Sequence, residues 1–231
     1  MSQPLATAPR PLHRERTRTA GASPRPARVR DAAATRARIL AAALVEFADN
    51  GLAGARVDAI AAAARSNKRM IYYYFGGKEP LYLAVLEQAY TDLRASESAL
   101  ELSRLPPLQA MRTLVEFKFD YFRANPQLIR LLANENMHRA RNLKRSTRLR
   151  DLHVSLVQRI GELLRAGVKA GVFRGGVDPL QLYMSIAALS YFYFSNRATL
   201  STAFGEDLHA ERASTARRRH AVEVILGYLR P

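Results

Sequence analysis

The side chains best suited to chemistry in this chain are hydrogen-bond donors, not nucleophiles. Asn67, Lys68, Arg69, Tyr72 and Tyr73 fall within seven consecutive residues. If that segment is helical, the two cations and two phenols share one face, and Met70, Ile71, Tyr74 and Phe75 fall on the other. Lysine and arginine donate to guanine O6 and N7 or to phosphate oxygens. A tyrosine ring meets a thymine methyl, and its hydroxyl reaches a phosphate. The chemistry on offer is nucleic-acid recognition, although a short helix with two cations is by itself better explained as a solvated basic face.

Catalytic alternatives are poorly supplied. Glu135 and His138 form one Glu-x-x-His step on a single helix face. A di-metal helical bundle needs two such steps and two further carboxylates. Asp151-x-His153 and Asp207-x-His209 have the wrong helical phase to supply them, so surface salt bridging is the expectation for Glu135. There are no cysteines, which removes disulfides, thiol nucleophiles and zinc–thiolate sites. No Ser-His-Asp constellation stands out, and no glycine-rich phosphate loop follows a strand. We expect no catalytic residue, no metal and no cofactor, and a metal-dependent helical enzyme stands only as a remote alternative.

The formal charge is +16, which favours a polyanionic partner, nucleic acid or an anionic membrane surface. Residues 1–30 hold seven Arg against one Glu, with five prolines. They read as a disordered basic arm, either a solvated leader or an extra DNA contact. No apolar run approaches the ~20 residues of a membrane helix, and the arm lacks the apolar stretch of a secretory signal. No membrane partner and a cytoplasmic location are expected. Hydrophobic residues make up 48 %, enough for a real core.

The donor run needs elements to hold it. Ile39, Leu40, Ala43, Leu44 and Phe47 recur at helical spacing, with Asp31 as a start signal and Asn50-Gly51 as a stop. Val57, Ile60 and Ala61 mark a short second helix. A break at Arg65-Ser66 precedes a third, capped by Asn67 and ended by Gly76-Gly77. Further helices start near Leu81, at Pro106-Pro107, at Pro126, near Leu152, at Asp178-Pro179 and near Arg212. No strand pattern and no internal repeat survives inspection. The fold expected is all-α, with about nine helices. Three short helices with a tight turn between the last two make a helix-turn-helix geometrically possible.

The literal residues narrow this further. The run from Val57 to Leu81, VDAIAAAARSNKRMIYYYFGGKEPL, resembles the DNA-binding signature of the TetR family. Ile60-Ala61, Asn67, Lys68, Ile71-Tyr72-Tyr73-Tyr74-Phe75, Gly76, Lys78-Glu79 and Leu81 carry the match. Helix 1 joins it through Arg38-Ile39-Leu40, Phe47 and Gly51. The resemblance implies a homodimeric regulator, most simply a repressor released from a palindromic operator by a small-molecule effector. It divides the chain into the arm (1–30), a helix-turn-helix domain (31–78) and an effector-binding and dimerisation bundle (79–231). Asn67, Lys68, Arg69, Tyr72 and Tyr73 would face double-stranded DNA. Lys78 would meet a phosphate at a helix N-terminus, and Arg36 and Arg56 the adjoining backbone. The chain departs from the family at the turn, where Arg65 stands in place of Gly; a left-handed Arg costs about 1 kcal/mol. It also lacks a hydroxyl cap at Ala55-Arg56.

The resemblance also implies that the last two helices pair with a second copy. Leu180, Met184, Ala187, Ala188 and Tyr191 make one candidate stripe; Val222, Ile225, Leu226 and Leu229 make the other. The alternative is that both stripes are intrachain core. Candidate effector-pocket residues are Phe117, Tyr121, Asn134, Asn136, His138, His153, Tyr183 and Phe194. This mixture of rings with Asn, His and Arg139 suggests a small aromatic or carboxylate effector. The rival binding mode is an architectural or membrane-surface protein that uses charge without reading sequence.

Overall fold

Apolar periodicity of 3.6 residues runs through nearly the whole chain, and the computed structural model turns it into helices. The structure describes residues 26–231, with side chains from residue 31. Among the described residues there are nine α-helices and no strand: α1 (Pro26–Gly54), α2 (Val57–Ala63), α3 (Lys68–Phe75), α4 (Lys78–Ser98), α5 (Pro107–Ala124), α6 (Pro126–Met137), α7 (Thr147–Lys169), α8 (Pro179–Phe204) and α9 (Glu211–Leu229). Short 3-10 turns at Leu102–Arg104 and Leu143–Arg145 join α4 to α5 and α6 to α7.

Three helix starts follow directly from side chains. The Asn67 side chain accepts from the Met70 N–H, that of Ser146 from Leu149, and that of Asp178 from Gln181. Each occupies one of the donors that a helix start leaves unpaired. The start expected at Asp31 is corrected: α1 begins at Pro26, because a first turn tolerates proline and the Ala- and Arg-rich residues after it favour a helix. The arm expected over 1–30 thus lies outside the described residues as far as residue 25. At Gly51 the expected stop is a kink (φ 63, ψ 177), and one further turn runs on to Gly54.

The buried side chains form three clusters. Ile39, Phe47, Ile60, Ile71, Leu81, Tyr82 and Leu86 hold α1 to α4 together, with Leu131 of α6 in the same cluster. The first half of α4 therefore completes the core of the N-terminal unit. Phe47 meets Tyr82 edge to face at 5.0 Å. A second cluster joins α5, α7, α8 and α9 through Met111, Leu114, Leu156, Ile160, Leu182, Ile186, Val222, Ile225 and Leu229. A third joins α4, α5 and α6 through Leu93, Phe122, Leu128 and Ile129.

The second cluster corrects part of the pairing expectation. Val222, Ile225 and Leu229 are at most 2 % exposed within a single chain, and Leu226 packs against the same cluster. This face of α9 packs against α5. On α8, Leu180, Met184 and Ala188 do face outward, and Ala187 and Tyr191 are half-buried.

Glu135 is also corrected. It is 1 % exposed, and its carboxylate accepts from the Asn142 backbone and side chain and from the Leu143 N–H, at 2.7, 3.1 and 3.0 Å. It ties down the turn after α6 and is no surface ion pair.

Candidate nucleic-acid interface

The eight residues of α3 divide as their spacing requires. Ile71 is fully buried, and Met70, Tyr74 and Phe75 pack against the N-terminal core. Burying a side chain of this size contributes about 1.5–3 kcal/mol. Lys68, Arg69, Tyr72 and Tyr73 point outward, and Tyr73 is 78 % exposed. Asn67 caps the helix with its oxygen 3.0 Å from the Met70 nitrogen. Gly76 closes it in the left-handed conformation (φ 80), where glycine carries no Cβ penalty.

The turn before α3 holds the conformation anticipated at Arg65, whose φ is 49. The Ser66 N–H donates to the Ala61 carbonyl and the Arg65 N–H to the Ala62 carbonyl, at 2.9 and 3.0 Å. These are the paired bonds of a Schellman helix end, built with an arginine in the position that glycine usually fills. Two compensations were invisible in the sequence. Arg38 Nε donates to the Ala64 carbonyl at 3.3 Å, bracing the same turn from α1. Glu46 accepts from the Arg56 N–H at 2.9 Å, serving the start of α2 in place of the missing hydroxyl cap.

The remaining candidates surround this helix. Lys68 pairs with Asp58 of α2 at 3.2 Å, and both side chains stay at least half exposed, so the pair contributes little and leaves the ammonium accessible. The Arg36 guanidinium lies over the Phe75 ring at 5.0 Å. Arg56 is exposed beside the start of α2. Lys78 is half-buried, and its ammonium donates to the Ala53 carbonyl at 3.0 Å. It therefore fastens α4 to the end of α1 and has two further donors. Arg36, Arg56, Asn67, Lys68, Arg69, Tyr72 and Tyr73 are thus each exposed on the unit of α1, α2 and α3.

The expected effector residues differ in what each touches. Asn134 Nδ2 donates to the Phe47 and Ala48 carbonyls, both at 3.4 Å, serving the α1 carbonyls just before the kink. Asn136 and His138 are exposed at the last turn of α6, and His138 Nδ1 is 2.8 Å from the Asn134 carbonyl. Phe117, Tyr121 and Phe194 pack on the third cluster. His153 is half-buried, with Nδ1 2.6 Å from the Leu149 carbonyl and its ring against Tyr90 at 4.9 Å. Burial lowers its pKa, favouring the neutral ring. Among the described residues, no group of three or more His, Cys, Asp or Glu could hold a metal ion, and no helix is long and apolar enough to cross a membrane.

Instead, Tyr183 belongs to a buried ionic cluster. Glu97 of α4 pairs with both Arg94 of α4 and Lys118 of α5. All three are at most 4 % exposed. Arg94 also donates to the Tyr183 hydroxyl at 3.3 Å. Both cations lie beside the Tyr183 ring, at 5.8 and 5.6 Å. Burial pulls the Lys118 pKa down to about 8; Arg94 adds to the effect, and Glu97 opposes it. Lys118 sits on the apolar stripe of α5 with Met111, Leu114, Val115, Phe119 and Phe122, and that phase was a legible sign of a buried lysine. Glu97 also lines a cleft of about 400 Å³ between α4, α5 and α7, where Leu105, Leu114, Leu156, Arg159 and Ile160 are further walls. None of the eight expected effector residues lines that cleft.

Comparison with known proteins agrees with this arrangement. Residues 39–85 match the profile described as bacterial regulatory proteins of the tetR family, and residues 107–225 match the tetracyclin repressor-like C-terminal domain. The HTH-type transcriptional repressor NicS of Pseudomonas putida is 40 % identical over 186 residues, 80 % of this chain and 88 % of that protein. The HTH-type transcriptional regulator RutR of Escherichia coli O157:H7 is 30 % identical over 204 residues, 88 % of this chain and 94 % of that protein. Among solved structures, the transcriptional regulator SCO4942 from Streptomyces coelicolor superposes with a TM-score of 0.65 at 30 % identity, covering 85 % of this chain and 99 % of its own.

Proposed function

The chain belongs to the TetR family of bacterial regulatory proteins and is a DNA-binding transcriptional repressor of that family, and we propose that it reads a palindromic operator as a dimer and leaves it on binding a small molecule. The observation that carries the reading is the outward face of α3. Two cations and two phenols are held there by a capped helix start and a fully buried Ile71. Asn67, Lys68, Arg69, Tyr72 and Tyr73 enter the major groove, and Arg36, Arg56 and Lys78 contact the flanking phosphates. Residues 31–78 do the reading, residues 79–231 hold the effector and the second copy, and the arm of residues 1–30 adds positive charge. The protein acts as a regulator and not as an enzyme, in the cytoplasm and on the nucleoid when bound.

One three-helix unit offers few base contacts, and two units ~34 Å apart double them. The dimer face is built from the outward stripe of α8, with Leu180, Met184, Ala188 and Phe192 at i, i+4 spacing, and from Val224 and Tyr228 of α9. Of these, Leu180, Met184, Phe192, Val224 and Tyr228 are between 40 and 53 % exposed in the single chain. Apolar side chains repeated at that spacing on two neighbouring helices make a surface that a second copy covers.

Fluorescence anisotropy with the duplex flanking the protein's own gene, against a scrambled duplex over a salt series, tests the reading. The expected specificity ratio is at least ~10³ at moderate salt, with a log–log salt slope of about −0.9 per neutralised phosphate. Lys68→Ala and Tyr72→Ala both erode the ratio. Equal binding to both duplexes, followed by failure of random-sequence selection to enrich any palindrome, identifies a protein that reads only charge and overturns the proposal.

A further inference from the structure

Between His138 and Arg150 the chain carries six cations, Arg139, Arg141, Lys144, Arg145, Arg148 and Arg150, and no acid. All six are exposed, and the one ion pair they make among the described residues joins Arg145 to Glu79 at 3.5 Å. Four acids touch or adjoin the segment, Glu79, Glu87, Glu135 and Asp151, and they leave cations in excess. Crowded like charges repel one another, and a polyanion relieves that repulsion. The segment is also firmly held. The Glu135 carboxylate ties its turn through the Asn142 and Leu143 N–H groups. Leu143 packs against the N-terminal core, and the Ser146 hydroxyl donates to Glu87 of α4 at 2.6 Å. Arg139 and Ala140 are both left-handed, at φ 56, a conformation that persists where the surroundings impose it. A loop held in this way loses little conformational entropy on binding.

Its place in the fold selects the polyanion. Asn134, near the end of α6, bonds to the Phe47 and Ala48 carbonyls of α1. Lys78 fastens the start of α4 to the Ala53 carbonyl at the same end of α1. Arg145 reaches Glu79, the neighbour of Lys78. The basic segment therefore adjoins the start of α4, where Lys78 is proposed to meet a phosphate. We propose that the segment joining α6 to α7 is a second phosphate-binding surface, which grips the duplex beside the stretch read by α3 and lengthens the footprint of each protomer. This deepens the DNA-binding reading of the protein and rests on it. Arg141, Lys144 and Arg148 are its contacts: they lie within four residues of Arg145, are exposed and make no ion pair among the described residues. Their ammonium and guanidinium groups donate to phosphate oxygens, which adds affinity and carries no sequence information.

Anisotropy with the full chain tests this by comparing a duplex trimmed to the palindrome with one extended on each side by about 10 bp, one helical turn. The variant Arg141→Gln with Lys144→Gln removes two cations from the segment. Arg165→Gln with Lys169→Gln removes two equally exposed cations from the other end of α7, about 30 Å away at ~1.5 Å per residue. The parent should bind the extended duplex at least about tenfold more tightly at ~0.1 M salt, where releasing the counterions of one phosphate is worth a factor of about 8. The first variant should lose that gain, with a salt slope shallower by about 0.9 per contact removed, and should bind the trimmed duplex as the parent does. The second should keep the gain. Equal affinity of the parent for the two duplexes, or a gain that survives the first variant, assigns these cations to another polyanion and overturns the proposal. An equal loss in the second variant marks a general effect of net charge and overturns it too. Phosphate contacts are blind to sequence, so the same length comparison on a scrambled duplex judges this surface alone, while trimmed operator against trimmed scrambled duplex judges the operator reading.

Discussion

Asn67 is asked to do two things, and one substitution separates them. Its side-chain oxygen accepts from the Met70 N–H at 3.0 Å with the residue in an extended conformation. It also stands at the end of α3 proposed to enter the groove. Asn67→Asp keeps the acceptor. It adds a negative charge where the helix dipole favours one by about 0.3–1 kcal/mol, and the first turn of α3 contains no other acid. Stability in urea should therefore be unchanged or slightly raised. Against DNA the same charge repels phosphate. At ~8 Å and an effective dielectric of ~20 the repulsion is about 2 kcal/mol, a loss of ~30-fold in affinity per reading helix. Asn67→Ala behaves differently. It removes the cap and costs about 1 kcal/mol, from a helix only eight residues long. Urea unfolding and operator anisotropy on both variants provide the check. If Asn67→Asp destabilises the chain as much as Asn67→Ala, the capping account fails. If it binds the operator as tightly as the parent, the start of α3 does not face DNA.

Three further outcomes are expected. Met184→Arg, on the outward stripe of α8, should give a folded monomer by light scattering with weakened operator binding; Ile225→Ala, in the core, should instead cost about 2–5 kcal/mol of stability. Gly167→Ala would place a Cβ 1.8 Å from the Phe173 ring, itself 3 % exposed, so denaturant melts should show a loss of about 1–3 kcal/mol, partly recovered by Phe173→Leu. The pKa of Lys118 is held below its unfolded value, so the native state binds fewer protons than the unfolded chain as pH rises through about 8 towards 10.5, and this group makes stability rise over that window. Lys118→Met should flatten the rise, whereas the raised pKa of Tyr90, about 12, opposes it only above the ordinary tyrosine value of 10.

What could be read from the chain depended on whether the signal was local. The cap at Asn67, the left-handed Arg65, the stop at Gly76 and the division of α3 into two faces involve residues within a few positions of one another, and their types alone imply the geometry. The proline-led starts of α5, α6 and α8 were legible for the same reason. The start of α1 was misplaced because Asp31 is an acceptable cap, while nothing local forbade the helix from running back to Pro26. Sites built across helices were not legible. The Arg38 brace and the Asn134 contacts with α1 span 26 and more than 80 residues, and no spacing rule reaches so far. Glu135 looked like a surface acid because its partners, the backbone of residues 142 and 143, become neighbours only when the chain turns back after α6.

The helical class, the order of the helices and the face that α3 turns outward follow from the chain alone, since helical periodicity and end signals are properties of neighbours along it. The tertiary structure decided which apolar stripes are used up within one chain. Val222, Ile225 and Leu229 go to the core; Leu180 and Met184 are left over. A stripe records that something apolar must cover it and not which helix will. The tertiary structure also decided where charge is buried. Arg94, Glu97 and Lys118 become one cluster because α4 and α5 pack there, and the cost of burying an ion depends on partners that only packing brings within reach.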